Sequence, residues 1–525
     1  MWIDFEGVDG SGKTSVSNRV AELLRRRGVP VVHAREGGAF ASPIAGRVRD
    51  LARSTDSLGL APETELLLNL AREAQIVAET VRPALARGAW VITDRTTYSH
   101  LGLARYVRGL AGDEIDAAAR VATGGLRPDR VFLIDVDPDV ARWRRRVRKI
   151  RERRLNDAGR KGLAGDALVA RTRRAFHDLA VEGRWTVVDN TWRSLEEAVE
   201  AVMDALDGRA PKPGPSKAFD VDPADPVGGL LAFAATLQDR SLAALLAAGL
   251  DDPRAEELWR AAPADVAACA VAGMDAPRAW ALREDLKEDA PFFVARGLAG
   301  PRAWSLRREL EDVVPDQVLH SLAGEGSDEA HALRARRFDD APAEAVRSTR
   351  EVDDPRAWEL RGRAAKDAAL AESVAGLDDP RAWRIREELQ AAHPLAVVKS
   401  LRGLDRPEAW APRRALAASA PKIVLASIDG LGGPEAWALR EALRIPAPEE
   451  TAASMAGLDT PEAWRWRAEL RDAAPVGVIK SLRGTEGPKA DALIVEILTR
   501  NPGRLRAARE AAQFRMNPTC MTTSI

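Results

Sequence analysis

One short phrase governs nearly half of the chain: Pro, then Arg or Glu, then Ala and Trp, opening segments such as PRAWALREDL, PRAWRIREEL, PEAWALREAL and PEAWRWRAEL. Its tryptophans stand at Trp280, Trp304, Trp358, Trp383, Trp410, Trp437 and Trp464, with a degenerate copy at Asp328 to His331 and weaker ones near Pro253 and Pro488. The dominant step is 27 residues, with steps of 24 and 25 as exceptions. A period of this length means a stacked array, because one unit cannot bury its own apolar face and its neighbours must do so. Each unit reads as two helices. Proline suits the first helical position, where its missing N–H costs nothing, and a preceding Asp can cap the free amides. Ala279, Leu282 and Leu286 then form an apolar stripe, and a second proline, as at Pro291, Pro421 and Pro475, opens a second helix.

The expected architecture for residues 230–500 is therefore an all-α solenoid of two-helix repeats. It resembles HEAT-type repeats in general design, although the Pro-Arg-Ala-Trp phrase assigns it to no named family. Trp280 and its counterparts read as wedges between repeats, with Arg283-type side chains stacked on their exposed faces. The competing reading is a ladder of binding residues, since aromatics are enriched at interface hot spots.

Residues 1–207 follow a different pattern. Strand-like runs at Trp2–Phe5, Val29–His33, Trp90–Thr93, Val131–Asp135 and Trp185–Val188 alternate with amphipathic stretches at Ser15–Arg27, Glu63–Arg87 and Leu195–Leu206. That alternation predicts an α/β domain with a parallel sheet flanked by helices. The Pro- and Gly-rich residues 208–229 read as a linker, and residues 501–525 as a partly disordered tail outside the period. No run approaches the ~20 apolar residues that cross a bilayer, and the start MWIDFEG lacks the features of a secretory signal. The expectation is a cytoplasmic protein without membrane contact. Cys269 and Cys520 are the only cysteines and support neither a disulfide framework nor a cysteine metal site.

The chemistry concentrates in the first domain. Gly7, Val8, Asp9, Gly10, Ser11, Gly12, Lys13 and Thr14 match GxxxxGK[ST] in full, after a predicted strand and before a predicted helix that includes Ser15. Glycines let successive N–H groups turn inward around phosphate, and the helix adds its positive end. Lys13 would neutralise the β- and γ-phosphates of ATP, and the Thr14 hydroxyl would ligate Mg²⁺. Asp94 and Arg95 end a parallel strand, where open α/β sheets bind ligands. A basic stretch from Arg142 to Arg174 holds fourteen Lys or Arg against three acids. Such a cluster attracts any polyanion, but only Trp143 interleaves with the first of its cations, which disfavours nucleic acid as the partner.

Several runs occur in the order found in one family: FEGVDGSGKTS, Arg35-Glu36-Gly37-Gly38, LLLNLAREAQIVAETVRPAL, VITDRTTYS, VFLIDVDPDVARWRRR and VVDNTWRSLEEAVEAVMDAL. In these, residues 1–206 resemble the thymidylate kinases, P-loop nucleoside monophosphate kinases that move the γ-phosphate of ATP to dTMP. The resemblance implies roles for particular residues. Asp9 would lie near the sugar 3′-hydroxyl and the metal, and Asp94 would help position Mg²⁺. Arg49 and Arg95 would hold the acceptor phosphate, Arg72 would face the base edge, and Glu36 would touch the metal's water shell. The basic stretch falls where the family carries its lid. No arginine occupies the variable loop positions, so Arg144, Arg146 and Arg148 are the candidate catalytic arginines.

Three positions depart from the family pattern. Gly37 replaces a proline, Leu68 an aromatic that stacks on thymine, and Leu103 a tyrosine that packs on deoxyribose, with Tyr98, Tyr106 and His100 as substitutes within reach in sequence. Alternatives therefore stay open: a kinase for another nucleotide or nucleoside, or an ATP-sensing domain that regulates what the solenoid binds. A protein partner or a second copy, as in a homodimer, would be the solenoid's ligand.

Overall fold

Five apolar runs pair side by side because each is bounded by turn residues and too short to bury itself as a helix. In the computed structural model, which describes residues 1–36, 42–155, 159–215, 219–485 and 487–517, they form one wholly parallel sheet. Gly37, Gly38 and Cys520 lie outside the described residues. The strands are β1 (Trp2–Glu6), β2 (Val31–His33), β3 (Trp90–Asp94), β4 (Arg130–Asp135) and β5 (Thr186–Asp189), in the order β2-β3-β1-β4-β5. β1 pairs Phe5 with Asp94 on one side and with Phe132 on the other, so the strand before the glycine loop is central. The principal helices are α1 (Lys13–Arg26), α2 (Pro43–Arg53), α3 (Pro62–Ile76), α4 (Thr97–Gly102), α5 (Pro138–Arg151), α6 (Ala167–Gly183) and α7 (Leu195–Leu206).

Ile3, Phe5, Phe132 and Ile134 pack with Val16, Val20 and Leu24 of α1 and Val199 and Val202 of α7 on one side of the sheet. Trp2 and Val91 pack with Ala45, Ile76 and Val81 in a second cluster. The helical stretch from Pro62 is continuous in sequence but not in form: α3 passes through a π turn at Val77–Val81 before Arg82–Ala86. Pro83 has no N–H for the ladder, and the wider turn absorbs the break.

Contacts divide the chain into two compact units, Met1–Arg145 with Ala158–Gly162 and Asp166–Ala218, and Arg146–Asp157 with Leu163–Gly165 and Phe219–Ile525. The linker expected at 208–229 is shorter than its composition suggested. Lys212 pairs with Glu200 at 2.8 Å, whereas Phe219 and Val221 are buried and a helix with Asp225 as N-cap already spans Pro226–Ala235.

In the second unit most repeats are two helices, the first opened by the phrase proline, as at Pro380–Leu389, and the second by the next, as at Pro394–Ser400; Asp328–Arg337 and Ala368–Ser373 open instead on the caps Ser327 and Asp367. The stacking of Arg on Trp is as expected, but the arginine is the more deeply placed of the two: Arg386, Arg413, Arg440 and Arg467 are buried, whereas Trp280 and Trp410 are buried and Trp383, Trp437 and Trp464 half-buried. The guanidinium lies 4.5–4.8 Å from its own indole centroid on the inner side. The outer side of Trp358 is covered by Arg381 of the next unit at 4.0 Å.

Each buried arginine joins two helix ends. Arg413 donates to the Ser427 hydroxyl (3.0 Å) and carbonyl (2.9 Å) at the end of its own unit's second helix. It also donates to the Leu401 carbonyl (2.8 Å), which ends the second helix of the unit before. Two helix C-termini, each with unsatisfied carbonyls and a negative dipole end, replace the carboxylate that a buried cation normally needs. Burial pushes these guanidinia down to about 10, so they remain protonated at neutral pH.

The array also closes on itself. The segment expected to be a partly disordered tail forms a helix, Leu505–Met516, because Leu505, Ala508, Ala512 and Phe514 make a buried stripe; residues 518–525 lie outside the described residues. This helix packs against Pro226–Ala235 at the other end of the array. Arg509 donates to the carbonyls of Leu245 and Ala248 and Gln513 to that of Ala248, at 3.0–3.2 Å. The repeats thus form a ring rather than an open solenoid.

Candidate active site

The loop after β1 is shaped by positions where only glycine fits. Gly7, Gly10 and Gly12 have φ of 147°, 95° and 91°. A Cβ on Gly7 would meet the Ile134 carbonyl oxygen at 2.4 Å, and one on Gly10 the Ala141 carbonyl oxygen at 2.3 Å. The loop is clamped from the residue after β5, where Asn190 Nδ2 donates to the Ser11 carbonyl at 2.7 Å. Gly12 then hands over to α1, whose first residue is Lys13. Val8 and Ser11 are buried and shape the loop, Asp9 is half-exposed and Ser15 is exposed. Burial, followed by the charge of Arg95, pushes Lys13 down to about 8, against the opposing pull of Asp94 and Asp9.

Asp94 ends β3 directly beside this loop. Its Oδ2 accepts from the Thr14 hydroxyl at 2.5 Å and lies 3.4 Å from Arg35 Nη1. Burial alone would raise this carboxyl, but Lys13, Arg35, Arg95 and the Thr14 hydroxyl together hold it below the usual range. Its Oδ1 is buried with no hydrogen-bond partner among the described residues. The Thr14 hydroxyl and the ionised Asp94 carboxylate, one of whose oxygens is orphaned, are hard oxygen donors, which suit Mg²⁺.

Arg95 follows in a left-handed conformation, φ 77°. Its Nη2 donates to Asp9 at 2.6 Å and its Nη1 to the Ser99 hydroxyl at 2.8 Å. Other guanidinia surround it. Burial, then the charges of Arg53 and Arg35, push Arg49 down to about 10; burial also pushes Arg72 to about 10, Glu73 opposing and Arg35, Arg49 and Arg95 adding. Several cations that depress one another's protonation form a site that is short of an anion.

The structure therefore brings together Lys13, Thr14, Asp9, Asp94, Arg95, Arg49 and Arg72. It does not bring Glu36 to them. Glu36 pairs with Arg25 at 2.5 Å on an exposed surface, and its neighbour Arg35 takes the place beside Asp94. The residues follow a turn after β2, and sequence spacing does not fix which of them faces inward. Asn190 was also missed; its signal is a lone amide at the end of an apolar strand.

Among the candidates for the altered nucleoside pocket, Tyr98 packs edge-on against Trp185 (5.0 Å) and Tyr106 is exposed. Leu103 is buried and Leu68 half-buried. Only His100 meets a site residue: its Nε2 lies 2.8 Å from Arg72 Nη2 and 4.0 Å from the carboxylate of Glu73, which burial pushes up to about 7. Arginine can only donate, so Nε2 is the acceptor in this contact.

The three basic-stretch arginines all lie on α5. Arg144 donates to the carbonyls of Asn190 and Thr191 at 2.9 and 3.1 Å. Arg146 and Arg148 belong to the second unit, where Arg146 is half-buried and Arg148 is exposed with its Nε 3.9 Å from Glu152.

A parallel sheet with a glycine loop after its central strand, a loop lysine and a carboxylate at the neighbouring strand end define a P-loop phosphotransferase. Residues 5–202 match the family model "Thymidylate kinase". A curated relative, thymidylate kinase of Bifidobacterium longum, is 39% identical over 212 residues, covering 39% of this chain and 95% of that protein. The thymidylate kinase of Geobacter sulfurreducens is 37% identical over 213 residues, covering 40% of this chain and 98% of its own. A solved thymidylate kinase from Ehrlichia chaffeensis aligns with 39% of this chain and 98% of its own at 27% identity, with a TM-score of 0.30. The chain belongs to the thymidylate kinase family, and its first unit is a nucleoside monophosphate kinase. Among the described residues, no helix is long and apolar enough to cross a membrane.

Proposed function

We propose that the protein transfers the γ-phosphate of ATP to dTMP in a Mg²⁺-dependent reaction in the cytoplasm. The observation that carries this reading is the pairing of two phosphate-seeking groups around one carboxylate: the glycine loop with Lys13 and Thr14, and the arginines Arg35, Arg49 and Arg95, with Asp94 touching both. The loop amides and Lys13 hold the donor phosphates, and Arg49 and Arg95 hold the acceptor phosphate. Asp9, which binds Arg95 and lies 3.8 Å from Lys13, keeps the two cations from repelling one another apart. Thr14 and Asp94 would hold Mg²⁺, whose contribution is to offset charge on the phosphate oxygens. Fixed cations around in-line phosphates suffice for this chemistry, since little proton transfer is needed. Arg72 faces the base, supported by His100.

The relatives' name supports dTMP as acceptor, whereas Leu103 in place of the family's tyrosine and His100 beside Arg72 favour a second reading, a different nucleotide. A panel of nucleoside monophosphates and thymidine, offered with ATP and Mg²⁺ to the full chain, separates them. The first reading expects dTMP to have the highest kcat/KM and Lys13→Ala to lower kcat by a factor of roughly 10² or more. It fails if another acceptor ranks first, and the kinase assignment fails if no acceptor is phosphorylated. The ring of repeats is read as an interaction module for a protein partner or a second copy. Light scattering across a hundredfold concentration range tests the self-association arm, which a constant monomer mass would remove.

A further inference from the structure

Two carboxylates stand where a central parallel strand, covered on both faces, normally carries apolar side chains. Asp4 and Glu6 lie two apart on β1 and are both fully buried. They reach across to the end of β3, the turn after it and the first turn of α4. Asp4 accepts from the hydroxyls of Thr93 and Thr96 at 2.9 and 2.8 Å. Glu6 accepts from the amides of Thr96 and Ser99 at 3.1 and 3.0 Å, and from the Ser99 hydroxyl.

Those two amides lie at the start of α4, where the Ser99 N–H is shared with the Thr96 carbonyl (3.2 Å) and the N-cap Thr96 makes no side-chain cap of its own. Glu6 therefore does from another strand what an N-cap residue ordinarily does locally. Capping alone would not call for it. A Ser or Asn at position 96 could cap the helix without burying a charge, whereas Glu6 lies within reach of both the amides and Arg95. The Ser99 hydroxyl held by Glu6 also accepts from Arg95 Nη1, and Glu6 Oε2 is itself 3.9 Å from that nitrogen. Arg95 is one of only four described residues other than glycine with positive φ, a conformation that needs outside support.

We infer that Glu6 is a positioning residue for the acceptor site: by fixing the turn that carries Arg95, it sets the distance between the acceptor phosphate and the glycine loop. The geometry suits this role because Glu6 directly precedes Gly7. One stretch of backbone therefore ends in the donor-phosphate loop and carries the carboxylate that holds the acceptor arginine. Displacement of a phosphate ligand by about 1 Å is enough to cost an in-line transfer orders of magnitude in rate.

The inference rests on the reading of Arg95 as the acceptor-phosphate ligand, and a double-mutant cycle on the full chain keeps the two apart. Glu6→Gln retains the shape and one acceptor oxygen and removes the charge. It should raise KM for the monophosphate by about tenfold and leave KM for ATP within about twofold. Arg95→Ala should also raise the acceptor KM. In the Arg95→Ala background, Glu6→Gln should add less than about twofold, because its effect passes through the arginine. An equal loss from Glu6→Gln in both backgrounds would make Glu6 a purely structural residue and overturn the inference. So would an unchanged acceptor KM in folded Glu6→Gln protein. An unchanged acceptor KM in Arg95→Ala would instead sink the assignment of Arg95, and the inference with it. Glu6→Asp, which keeps the charge but shortens the reach, should recover part of the acceptor affinity if its thermal midpoint matches that of Glu6→Gln; no recovery would contradict a role for the charge.

Discussion

Lys13 links the loop to pH. Its folded value of about 8 lies below the ordinary 10.5 of a free lysine. Below pH 8 both folded and unfolded chains carry the proton, so the full cost of burying the charge is present. Between about 8 and 10.5 the unfolded chain binds more protons, and stability rises with pH. Lys13→Met should therefore stabilise the nucleotide-free protein at pH 7, by roughly 3 kcal/mol at most, with the gain disappearing toward pH 10.5. Phosphate restores the lysine's proton, so ATP binding at pH 8.5 should take up about three-quarters of a proton, and almost none at pH 6.5. Calorimetry in two buffers of different ionisation enthalpy measures this; equal uptake by wild type and Lys13→Met would show that Lys13 is not the group involved. At this scale the sequence was most readable where one residue type alone can serve. Gly7, Gly10 and Gly12 require positive φ, and Lys13 and Thr14 follow them by pattern. Glu36 was misplaced because nothing in its spacing distinguishes it from Arg35, and Glu6 was passed over although an acid inside a buried strand is itself a signal.

In the repeats the helix ends decide stability. Arg413→Ala removes donors from two helix C-termini at once and leaves their carbonyls buried. The expected loss is roughly 2–4 kcal/mol in a denaturant melt of the full chain. Arg413→Lys should recover less than half of it, since one ammonium cannot span both ends. Full recovery by lysine would mean that charge near the helix ends, and not the forked donor, is what matters. The 27-residue period and the two prolines made these helices legible from sequence, as alternation did for β1 to β5. Which of Trp and Arg is inside was not legible. An arginine becomes a core residue only when carbonyls from a neighbouring repeat meet it, and the contacts that decide this come from outside the phrase.

For the array as a whole, closure is the feature sequence could not supply. Arg509 and Leu245 are 264 residues apart, and no local pattern marks them as partners. Deleting residues 505–525 should uncover the apolar side of Pro226–Ala235, including Leu230, Leu231 and Ala234. The melt should then broaden and its midpoint fall, because an open array unfolds from a free end. A sharp transition at the wild-type midpoint would show that the closing helix adds nothing. The domain pattern was readable in outline, since composition changes near residue 207, but Phe219 and Val221 already belong to the second core.

The most direct test of the account follows the phosphate itself. Full-length protein is incubated with γ-³²P-labelled ATP, Mg²⁺ and dTMP, and the products are separated. Label should appear in the nucleoside diphosphate with wild type and almost none with Lys13→Ala, although that variant remains folded. Label found only in inorganic phosphate, or ATP bound without any turnover, would contradict it.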